Sequence, residues 1–348
     1  MKIAILGTRR HSARLRQLAL EDPRVTKVLV FHPDRESSAQ LNDQGPRVVA
    51  TSNWNDVEHQ DAVIIASPGS THSDYLERLS AVEMPIYCEK PPAVTFAALD
   101  WLTQNRAPLA RRTTFGFNYR ETAFAKIARD VLSDGSLGTT VHADFVAGHG
   151  LAFRPGWESD WRFNSANPFD RILGNLGIHY VDLCRQLFGP IAEASARERS
   201  VRGSGTADTA SISLVHENGV TAHLMLSYCT PYMNTATLHW SDGRLVLDDG
   251  KVRRYGPRDH FDADGRFATP PSSLLVEFAS SSAYYGDALK RSITAFIDRI
   301  AAGTDEPEER FLEALDTARW VLRLANSNKS DQENGASLPD RPIGNSVA

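Results

Sequence analysis

Cysteine is scarce in this chain, and long apolar runs are missing. Three cysteines occur in 348 residues, at positions 88, 184 and 229, and this wide spacing predicts neither a disulfide framework nor a zinc site. No apolar segment approaches the roughly 20 residues that cross a membrane, and the first residues read as a strand and not as a signal peptide. We therefore expect a soluble cytoplasmic protein with no metal centre and no membrane partner.

An excess of positive charge is missing as well. The chain carries 38 Lys and Arg against 43 Asp and Glu, a formal net charge of −5, which argues against a large basic surface for nucleic acid. With 41% hydrophobic and 23% charged residues, the composition is that of an ordinary soluble protein. A chain of this length predicts two domains, each with its own core.

The first turn lacks two of the three glycines that a dinucleotide-binding fingerprint would need. Residues 2–6 read as a buried strand, and an amphipathic helix follows. The fingerprint Gly-x-Gly-x-x-Gly requires glycines near positions 9 and 12, but the run is Gly7-Thr8-Arg9-Arg10-His11-Ser12. Either its polar side chains, Ser12 included, hold a phosphate at the helix N-terminus, or the turn has lost its cofactor. The cofactor-binding candidates here are Gly7, Thr8, Arg9 and Arg10.

The end of the second predicted strand bears on the choice of cofactor. Residues 27–31 form this strand, and His32, Asp34 and Arg35 follow it. An acidic residue at this point hydrogen-bonds the adenosine ribose and favours NAD. His32 occupies that position; Asp34, two residues later, can still reach a ribose hydroxyl, whereas His32 and Arg35 can instead contact the 2′-phosphate of NADP. The choice between NAD and NADP stays open, and all three residues are cofactor-binding candidates.

Two strand ends further along the chain carry polar residues at bends. The apolar run 62–65 leads into Ser67-Pro68 with His72 beyond, and a short strand at 86–88 leads into Glu89-Lys90-Pro91-Pro92. Ligands of open parallel sheets bind beyond the carboxyl ends of the strands. The two prolines fix the backbone, so that Lys90 is held at a bend and cannot continue the sheet. Both strand ends are therefore candidates for a ligand site.

These motifs together resemble the Gfo/Idh/MocA family of nicotinamide-dependent oxidoreductases, which act mostly on sugars, cyclitols and related polyols. The resemblance implies that Lys90 lies beside the nicotinamide and the substrate. It extends to Gly116-Phe117-Asn118 and Arg120, which match the family's junction between domains and imply roles near the nicotinamide and the substrate. An ordinary strand end is the alternative interpretation of each of these residues. The implied cofactor-binding residues are Ser67, Pro68, His72, Glu89, Lys90 and Asn118.

A second anchor of the resemblance lies in the predicted helix around residues 174–183. The family pattern is Asp-x-Gly-x-His-x-x-Asp, and the chain has Asn175, Gly177, His179 and Asp182 in those places. On a regular helix, positions 175 and 179 share one face. A histidine suits acid/base work on a hydroxyl or ketone because its ordinary pKa is near neutrality. The implied catalytic residues are Lys90, His179 and Asn175.

Two departures from the family pattern occur at this helix. Asn175 replaces the aspartate and can neither carry charge nor accept a proton, although its amide can orient a substrate. Phe169-Asp170-Arg171 replaces the glycine run that precedes the helix in the family, and Asp170 is a candidate to restore the missing charge. Hydride transfer then relies on Lys90 and His179.

Trp161 and Arg162 precede the same helix, which is a family feature. The resemblance implies that Arg162 hydrogen-bonds substrate oxygens. The neighbouring aromatic side chains either stack on a sugar ring or close the loop against the sheet, and the sequence does not separate these two interpretations. The implied substrate-binding residues are Arg120, Trp161, Arg162, Asn175 and His179.

The predicted architecture is α/β, with a Rossmann domain over 1–119 and an α+β domain over 120–348. Strand patterns at 140–146, 210–215, 220–228, 237–240 and 244–247 predict an open, mostly antiparallel sheet, and Asn-Gly at 218–219 is a strong hairpin signal. Helices are predicted at 288–301 and 309–325, and the polar tail 326–348 is expected to fray. The resemblance implies a homodimer or homotetramer through the sheet.

The predicted function is NAD(P)-dependent transfer of hydride between nicotinamide and a secondary hydroxyl or ketone of a sugar, amino sugar or cyclitol. Two alternatives stay open. One is a glycosidase or lyase of the same fold that oxidises its substrate transiently. The other is a non-catalytic binding or regulatory subunit, favoured by the altered turn and Asn175 and opposed by the presence of Lys90, Arg162 and His179.

Overall fold

The computed structural model describes residues 1–36, 45–163, 165, 167–203, 206–257 and 259–334. Its first part is a six-stranded parallel sheet in the order β3-β2-β1-β4-β5-β6. The elements are β1 Lys2–Leu6, α1 Arg10–Glu21, β2 Lys27–Phe31, β3 Val48–Thr51, α2 Trp54–Glu58, β4 Ala62–Ile65, α3 His72–Leu79, β5 Ile86–Cys88, α4 Phe96–Gln104 and β6 Thr113–Phe115. This strand order is that of a doubly wound dinucleotide-binding sheet and confirms the predicted Rossmann fold.

Continuous burial explains why the central strands read as unbroken apolar runs. Every residue of β4, and every residue of β1 after Lys2, is buried. Parallel sheets are covered by helices on both faces, so neither face of such a strand needs polar residues. The strand order reverses between β1 and β4, and the crevice beyond their carboxyl ends is where such sheets bind ligands.

The second part is an eight-stranded sheet in the order β14-β13-β12-β11-β7-β10-β9-β8. Among its pairings, β7 with β10 is parallel and the others are antiparallel, which confirms the predicted open, mostly antiparallel sheet. The strands are β7 Thr140–Gly148, β8 Ile191–Arg199, β9 Thr209–His216, β10 Thr221–Ser227, β11 Met233–Trp240, β12 Gly243–Asp248, β13 Lys251–Tyr255 and β14 Ser272–Glu277.

Four α-helices follow the parallel sheet along the chain: α5 Ala123–Asp134, α6 Ile178–Phe188, α7 Ser281–Ala302 and α8 Glu308–Asn334. Short 3₁₀ turns lie at Gly69–Thr71, Ala110–Arg112, Asn118–Glu121, Leu151–Phe153, Trp157–Ser159 and Pro168–Asp170, and a π-helical turn spans Leu173–Gly177. No described helix is both long enough and apolar enough to span a membrane.

Several elements differ from the sequence prediction. Strands β8, β13 and β14 were not predicted. In the case of β8, the strand is polar along most of its length and depends on pairing with β9. Helix α7 begins seven residues earlier than predicted. The tail was expected to fray from residue 326, but α8 continues to Asn334, and residues 335–348 lie outside the described part of the chain.

The two C-terminal helices pack on the parallel sheet. Helix α7 contributes Leu289, Ile293, Phe296 and Ile297 to the core on one face of that sheet. Helix α8 contributes Phe311, Ala314, Leu315, Ala318, Val321 and Leu322 to the core on the other face. At the first of these contacts the hydroxyls of Tyr87 and Ser292 lie 3.0 Å apart. Both faces of the parallel sheet are therefore partly covered by the end of the chain.

Candidate active site

The floor of the candidate site is formed by the loops that follow β4 and β5. His72, which is 1% exposed, connects them: its Nδ1 lies 2.7 Å from the carbonyl oxygen of Pro91 and its Nε2 lies 3.0 Å from that of Ser67. Burial lowers the pKa of His72. The ring was predicted to bind cofactor, but the structure places it beneath the two loops, where it holds them together. Pro68 is exposed and Ser67 half-buried above it.

The altered first turn keeps one glycine that the geometry requires. Gly7 has a φ of +131°, and a Cβ there would lie 2.5 Å from the carbonyl oxygen of Ala66. The Ser12 hydroxyl donates to the carbonyl of Gly7 at 2.6 Å, so it stabilises the turn and does not serve the phosphate-binding role predicted for it. Arg9 and Arg10 are exposed where α1 begins, and the Arg9 side chain makes no capping hydrogen bond. This leaves amide groups and two cations at a helix N-terminus, which suits an anion.

His11 joins this turn to the end of β5, a contact that the sequence did not reveal. Its Nε2 lies 2.9 Å from Oε1 of Glu89; the histidine side chain is 46% exposed and the glutamate is buried. Burial by itself would raise the pKa of Glu89, but the charges of His11, Lys90 and His72 lower it overall. His11, which lies in the first turn, therefore helps to keep the Glu89 carboxylate ionised.

The residues after β2 form a local turn at the surface. The backbone amide of Asp34 donates to Nδ1 of His32 at 3.1 Å. His32 is half-buried, and Asp34 and Arg35 are exposed. The amide of Gly7 donates to the carbonyl of Phe31 at 3.3 Å, which places this turn beside the first one. An acidic and a basic side chain thus stand together at this strand end, and the geometry does not separate NAD from NADP.

Lys90 brings the two motifs of the resemblance into contact. Its Nζ donates to the backbone carbonyl of Asn175 at 2.7 Å and to the side-chain Oδ1 of the same residue at 3.2 Å. Burial lowers the pKa of Lys90 to about 8, with Glu89 and Asp170 acting against the shift and Arg162 adding to it. The ammonium group is thus the meeting point of the β5 end and the helix that contains His179.

His179 is buried and its ring is not held by a hydrogen bond at Nδ1. It is 9% exposed, and Nδ1 has no hydrogen-bond partner among the described residues. The ring stacks on Tyr119, with centroids 4.4 Å apart and planes 16° apart, and meets the edge of Phe117. Burial and the charge of Lys90 hold the pKa of His179 well below its usual range. The imidazole is therefore neutral at pH 7 and able to accept a proton.

Asn175 does not lie on a regular helix as predicted. The π-helical turn Leu173–Gly177 contains it, and α6 begins only at Ile178. A Cβ at Gly174 would lie 2.4 Å from the carbonyl of Pro168, so the turn packs tightly against the segment before it. Such π-turns are frequent at functional sites. The Asn175 Nδ2 donates to the hydroxyl of Tyr228 at 2.9 Å, a contact too distant in sequence to predict.

The Trp161-Arg162 pair lies near Lys90 and Tyr228. The Arg162 guanidinium contacts Asp160 at 2.9 Å and lies 4.0 Å from the ring centroid of Trp161, which is 48% exposed. Nε of Arg162 is buried and has no hydrogen-bond partner in the described part of the chain. Asp170 accepts hydrogen bonds from Ser165 at 2.6 Å and from Asn167 at 3.3 Å. The negative charge of Asp170 raises the pKa of Lys90, against the larger lowering by burial.

The Arg120 side chain is engaged in an ion pair with Asp182, although it was predicted to contact the substrate. Its guanidinium donates to both carboxylate oxygens of Asp182, at 2.7 and 2.5 Å, and lies 3.3 Å from Glu313. Arg120 is 8% exposed and Asp182 0%. We therefore assign Arg120 to the stability of the domain junction. Asn118 stands nearby, half-buried in a 3₁₀ turn.

The described residues offer no metal centre. They contain no group of three or more His, Cys, Asp or Glu that could hold a metal ion. All three cysteines are free thiols; Cys88 and Cys184 are buried and Cys229 is half-buried.

Two family models match the chain. Residues 1–115 match the model described as "Oxidoreductase family, NAD-binding Rossmann fold". Residues 126–246 match the model described as "GFO/IDH/MocA C-terminal domain". The two matches together span well over half of the chain and cover the parallel sheet and the strands β7 to β11 of the second sheet.

Curated relatives are similar over part or most of their length. The dTDP-3,4-didehydro-2,6-dideoxy-alpha-D-glucose 3-reductase of Saccharopolyspora spinosa is 26% identical over 71% of each chain. The inositol 2-dehydrogenase of Rhizobium meliloti is 25% identical over 70% of this chain and 72% of its own. The D-apiose dehydrogenase of Rhizobium rhizogenes is 27% identical over 63% of each chain, less than two thirds of its length.

Solved structures share the fold. A levoglucosan dehydrogenase in complex with NADH and levoglucosan superposes with a TM-score of 0.77 at 17% identity, covering 95% of this chain and 98% of that one. A putative NADPH-dependent oxidoreductase from Desulfitobacterium hafniense gives a TM-score of 0.79 at 16% identity, covering 95% and 96%. At these identities the likeness concerns the fold.

Proposed function

We propose a function from one premise: the chain belongs to the Gfo/Idh/MocA family of oxidoreductases, with an NAD-binding Rossmann fold. The function is NAD(P)-dependent hydride transfer between nicotinamide and a secondary hydroxyl or ketone of a sugar, amino sugar or cyclitol. The names of the inositol, apiose and deoxysugar relatives support this substrate class. The observation that carries the proposal is the contact of Lys90 with Asn175, which unites two motifs from separate parts of the chain.

The residues of the first turn fit a dinucleotide. Gly7 supplies the close backbone approach, and the start of α1, with Arg9 and Arg10, supplies amide groups and positive charge for a pyrophosphate. Asp34 would serve the ribose of NAD, and Arg35 the 2′-phosphate of NADP. A bound nicotinamide supplies the hydride donor or acceptor, which the side chains of this chain lack.

The catalytic residues divide the remaining work. In the oxidative direction the neutral imidazole of His179 accepts the proton of the substrate hydroxyl. Lys90 donates a hydrogen bond to the same oxygen through Nζ and stabilises the negative charge that develops there. Asn175 and Arg162 orient the sugar, and the half-exposed ring of Trp161 offers a surface on which it stacks. In reduction the roles reverse: the protonated form of His179 gives its proton to the ketone oxygen as the hydride arrives, and Lys90 polarises the same oxygen.

The test is a calorimetric titration with NADH and, separately, with NADPH, followed by turnover assays on cyclitols and sugars. We expect micromolar binding of one cofactor, turnover of at least one polyol, and loss of turnover but not of cofactor binding in Lys90→Met. Absence of binding to both cofactors, with none carried through purification, contradicts the proposal and favours the binding-subunit alternative. A tightly retained cofactor without net redox turnover favours the glycosidase or lyase alternative.

We also propose that the protein is cytoplasmic and assembles as a homodimer or homotetramer through the eight-stranded sheet. Support comes from the free thiols and from the half-exposed face of the sheet. On that face His142 and His239 contact Asp144 at 3.2 and 3.7 Å. Sedimentation analysis tests the assembly, and a monomer at micromolar concentration contradicts it.

We further propose the domains 1–119 and 120–348, which separate the two sheets.

A further inference from the structure

We propose that Tyr228 donates a hydrogen bond to an oxygen of the substrate, and that Asn175 sets the direction of this hydrogen bond. The inference rests on the proposed oxidoreductase function and adds a substrate-binding residue to it. It concerns the hydrogen bond that Asn175 donates to Tyr228, which an aspartate at this position could not donate.

The orientation of the Asn175 amide follows from its two neighbours. An ammonium group has three donors and no acceptor, so the atom of Asn175 that lies 3.2 Å from Nζ of Lys90 must be the carbonyl Oδ1. The amide nitrogen Nδ2 then faces the hydroxyl of Tyr228, at 2.9 Å. An amide nitrogen only donates, so Tyr228 accepts this hydrogen bond.

The tyrosine hydroxyl consequently keeps its own hydrogen for another partner. Arg162 lies beside the same oxygen, and a guanidinium also only donates. Burial raises the pKa of Tyr228 to about 12, so the hydroxyl stays protonated at neutral pH. Among the described residues none accepts a hydrogen bond from this hydroxyl: Asn175 and Arg162 are donors, and the Asp160 carboxylate acts on the tyrosine through its charge. A buried O–H group without an acceptor is unfavourable. A hydroxyl, ring or ketone oxygen of a polyol is the acceptor that this arrangement fits.

The surroundings of Tyr228 belong to the same site. Its ring stacks on His149, with centroids 4.7 Å apart, and meets the edge of Trp157 at 6.0 Å. Nε of Arg162 and Nδ1 of His179 are buried without partners. Several polar atoms around the Lys90–Asn175 contact therefore lack hydrogen-bond partners within the described protein, which is the arrangement expected of a site shaped for a polar ligand.

An aspartate at position 175 would reverse the Tyr228 hydrogen bond. A carboxylate accepts from both sides, so it would take hydrogen bonds from Lys90 and from the Tyr228 hydroxyl. The tyrosine hydrogen would then point at the protein and not at the substrate. With asparagine at position 175, the site loses a negative charge, and the Tyr228 hydroxyl is left free to donate its hydrogen to the substrate.

The test is a double-mutant cycle on Asn175→Asp and Tyr228→Phe. The probe is myo-inositol, which bears a hydroxyl on every ring carbon, and its dissociation constant is measured by NMR on the NADH-bound protein. We expect Tyr228→Phe to weaken myo-inositol binding roughly two- to tenfold, the range of a single hydrogen bond. In the Asn175→Asp background the same change should have no further effect. Tyr87→Phe, a buried tyrosine that hydrogen-bonds Ser292, is the matched control and should bind as the wild type does.

The outcomes separate this inference from the function on which it rests. Equal effects of Tyr228→Phe in both backgrounds, or no effect in the wild type, overturn the inference while the oxidoreductase function stands. NADH binding without any myo-inositol binding at millimolar concentration also overturns it. Failure of both NADH and NADPH to bind contradicts the proposed function itself. Thermal melts of all variants verify that they fold.

Discussion

Replacing Arg120 with methionine should destabilise the protein strongly, because Arg120 neutralises a carboxylate that has no access to water. Asp182 is 0% exposed and receives two hydrogen bonds from the guanidinium. Methionine keeps a similar length and apolar volume but removes the charge and all of the donors. Asp182 is then left buried beside the hydroxyl of Thr317, 3.5 Å away, with Arg185 as a more remote cation.

The magnitude follows from the burial of both partners. Removing one partner of a buried ion pair costs about 3–5 kcal/mol, since the other charge remains uncompensated. For a domain of roughly 150–250 residues each kcal/mol lowers the melting temperature by about 2–4 °C. We therefore expect Arg120→Met to melt roughly 6–20 °C below the wild type, as measured by differential scanning calorimetry.

Two further variants sharpen the measurement. Arg291→Met removes an exposed pair with Asp287, four residues apart on α7 and 2.6 Å in length, and such pairs contribute only about 0.3–0.5 kcal/mol. The double variant Arg120→Met with Asp182→Leu removes both charges and should recover most of the lost stability. If Arg120→Met melts with the wild type and instead raises the KM for a sugar, the assignment of Arg120 to stability is wrong.

Three further predictions concern the site. The pKa of Lys90, about 8, predicts that kcat/KM falls as the pH rises through about 8, because the ammonium loses its proton; a plateau through pH 9 would contradict this expectation. The lowered pKa of His179 predicts that oxidative activity persists well below pH 6.5, because the imidazole stays neutral there. Gly7→Ala should destabilise the protein and abolish NADH binding in calorimetry, because the new Cβ meets a backbone oxygen, whereas Gly219→Ala, also at positive φ but in open space, should leave NADH binding intact. His11→Ala should weaken NADH binding and lower the melting temperature, because the buried carboxylate beside Lys90 loses its imidazole partner; unchanged values would show that the contact is incidental.

The fold and the meeting of the main motifs could be predicted from the sequence because both leave local signals. A strand buried on both faces is an unbroken apolar run, as in β4, and a bend after a strand is marked by prolines, as at Pro91. Lys90 and Asn175 were predicted to share a site, and they are in hydrogen-bond contact.

The contacts between distant segments leave no such signal. His11 pairs with Glu89, and Asn175 with Tyr228, only because the chain folds these segments together. The position of Arg120 was misjudged for a related reason: the motif gave its place in the chain, but the burial of its partner Asp182 decides which way the side chain turns. Strand β8 was missed because its stability comes from β9 and not from its own residues.

The packing of α7 and α8 on the parallel sheet also bears on how the protein is made. A ribosome releases β1 to β6 long before residues 281–334, yet these late helices cover much of both faces of that sheet. The parallel sheet, formed by the first third of the chain, therefore exposes apolar surface until synthesis is nearly complete, and such surface is prone to aggregation. Consequently, a fragment that ends at the junction near residue 119 should need a chaperone or a solubilising partner, and ribosome stalling after that point should leave a nascent chain that has not yet folded.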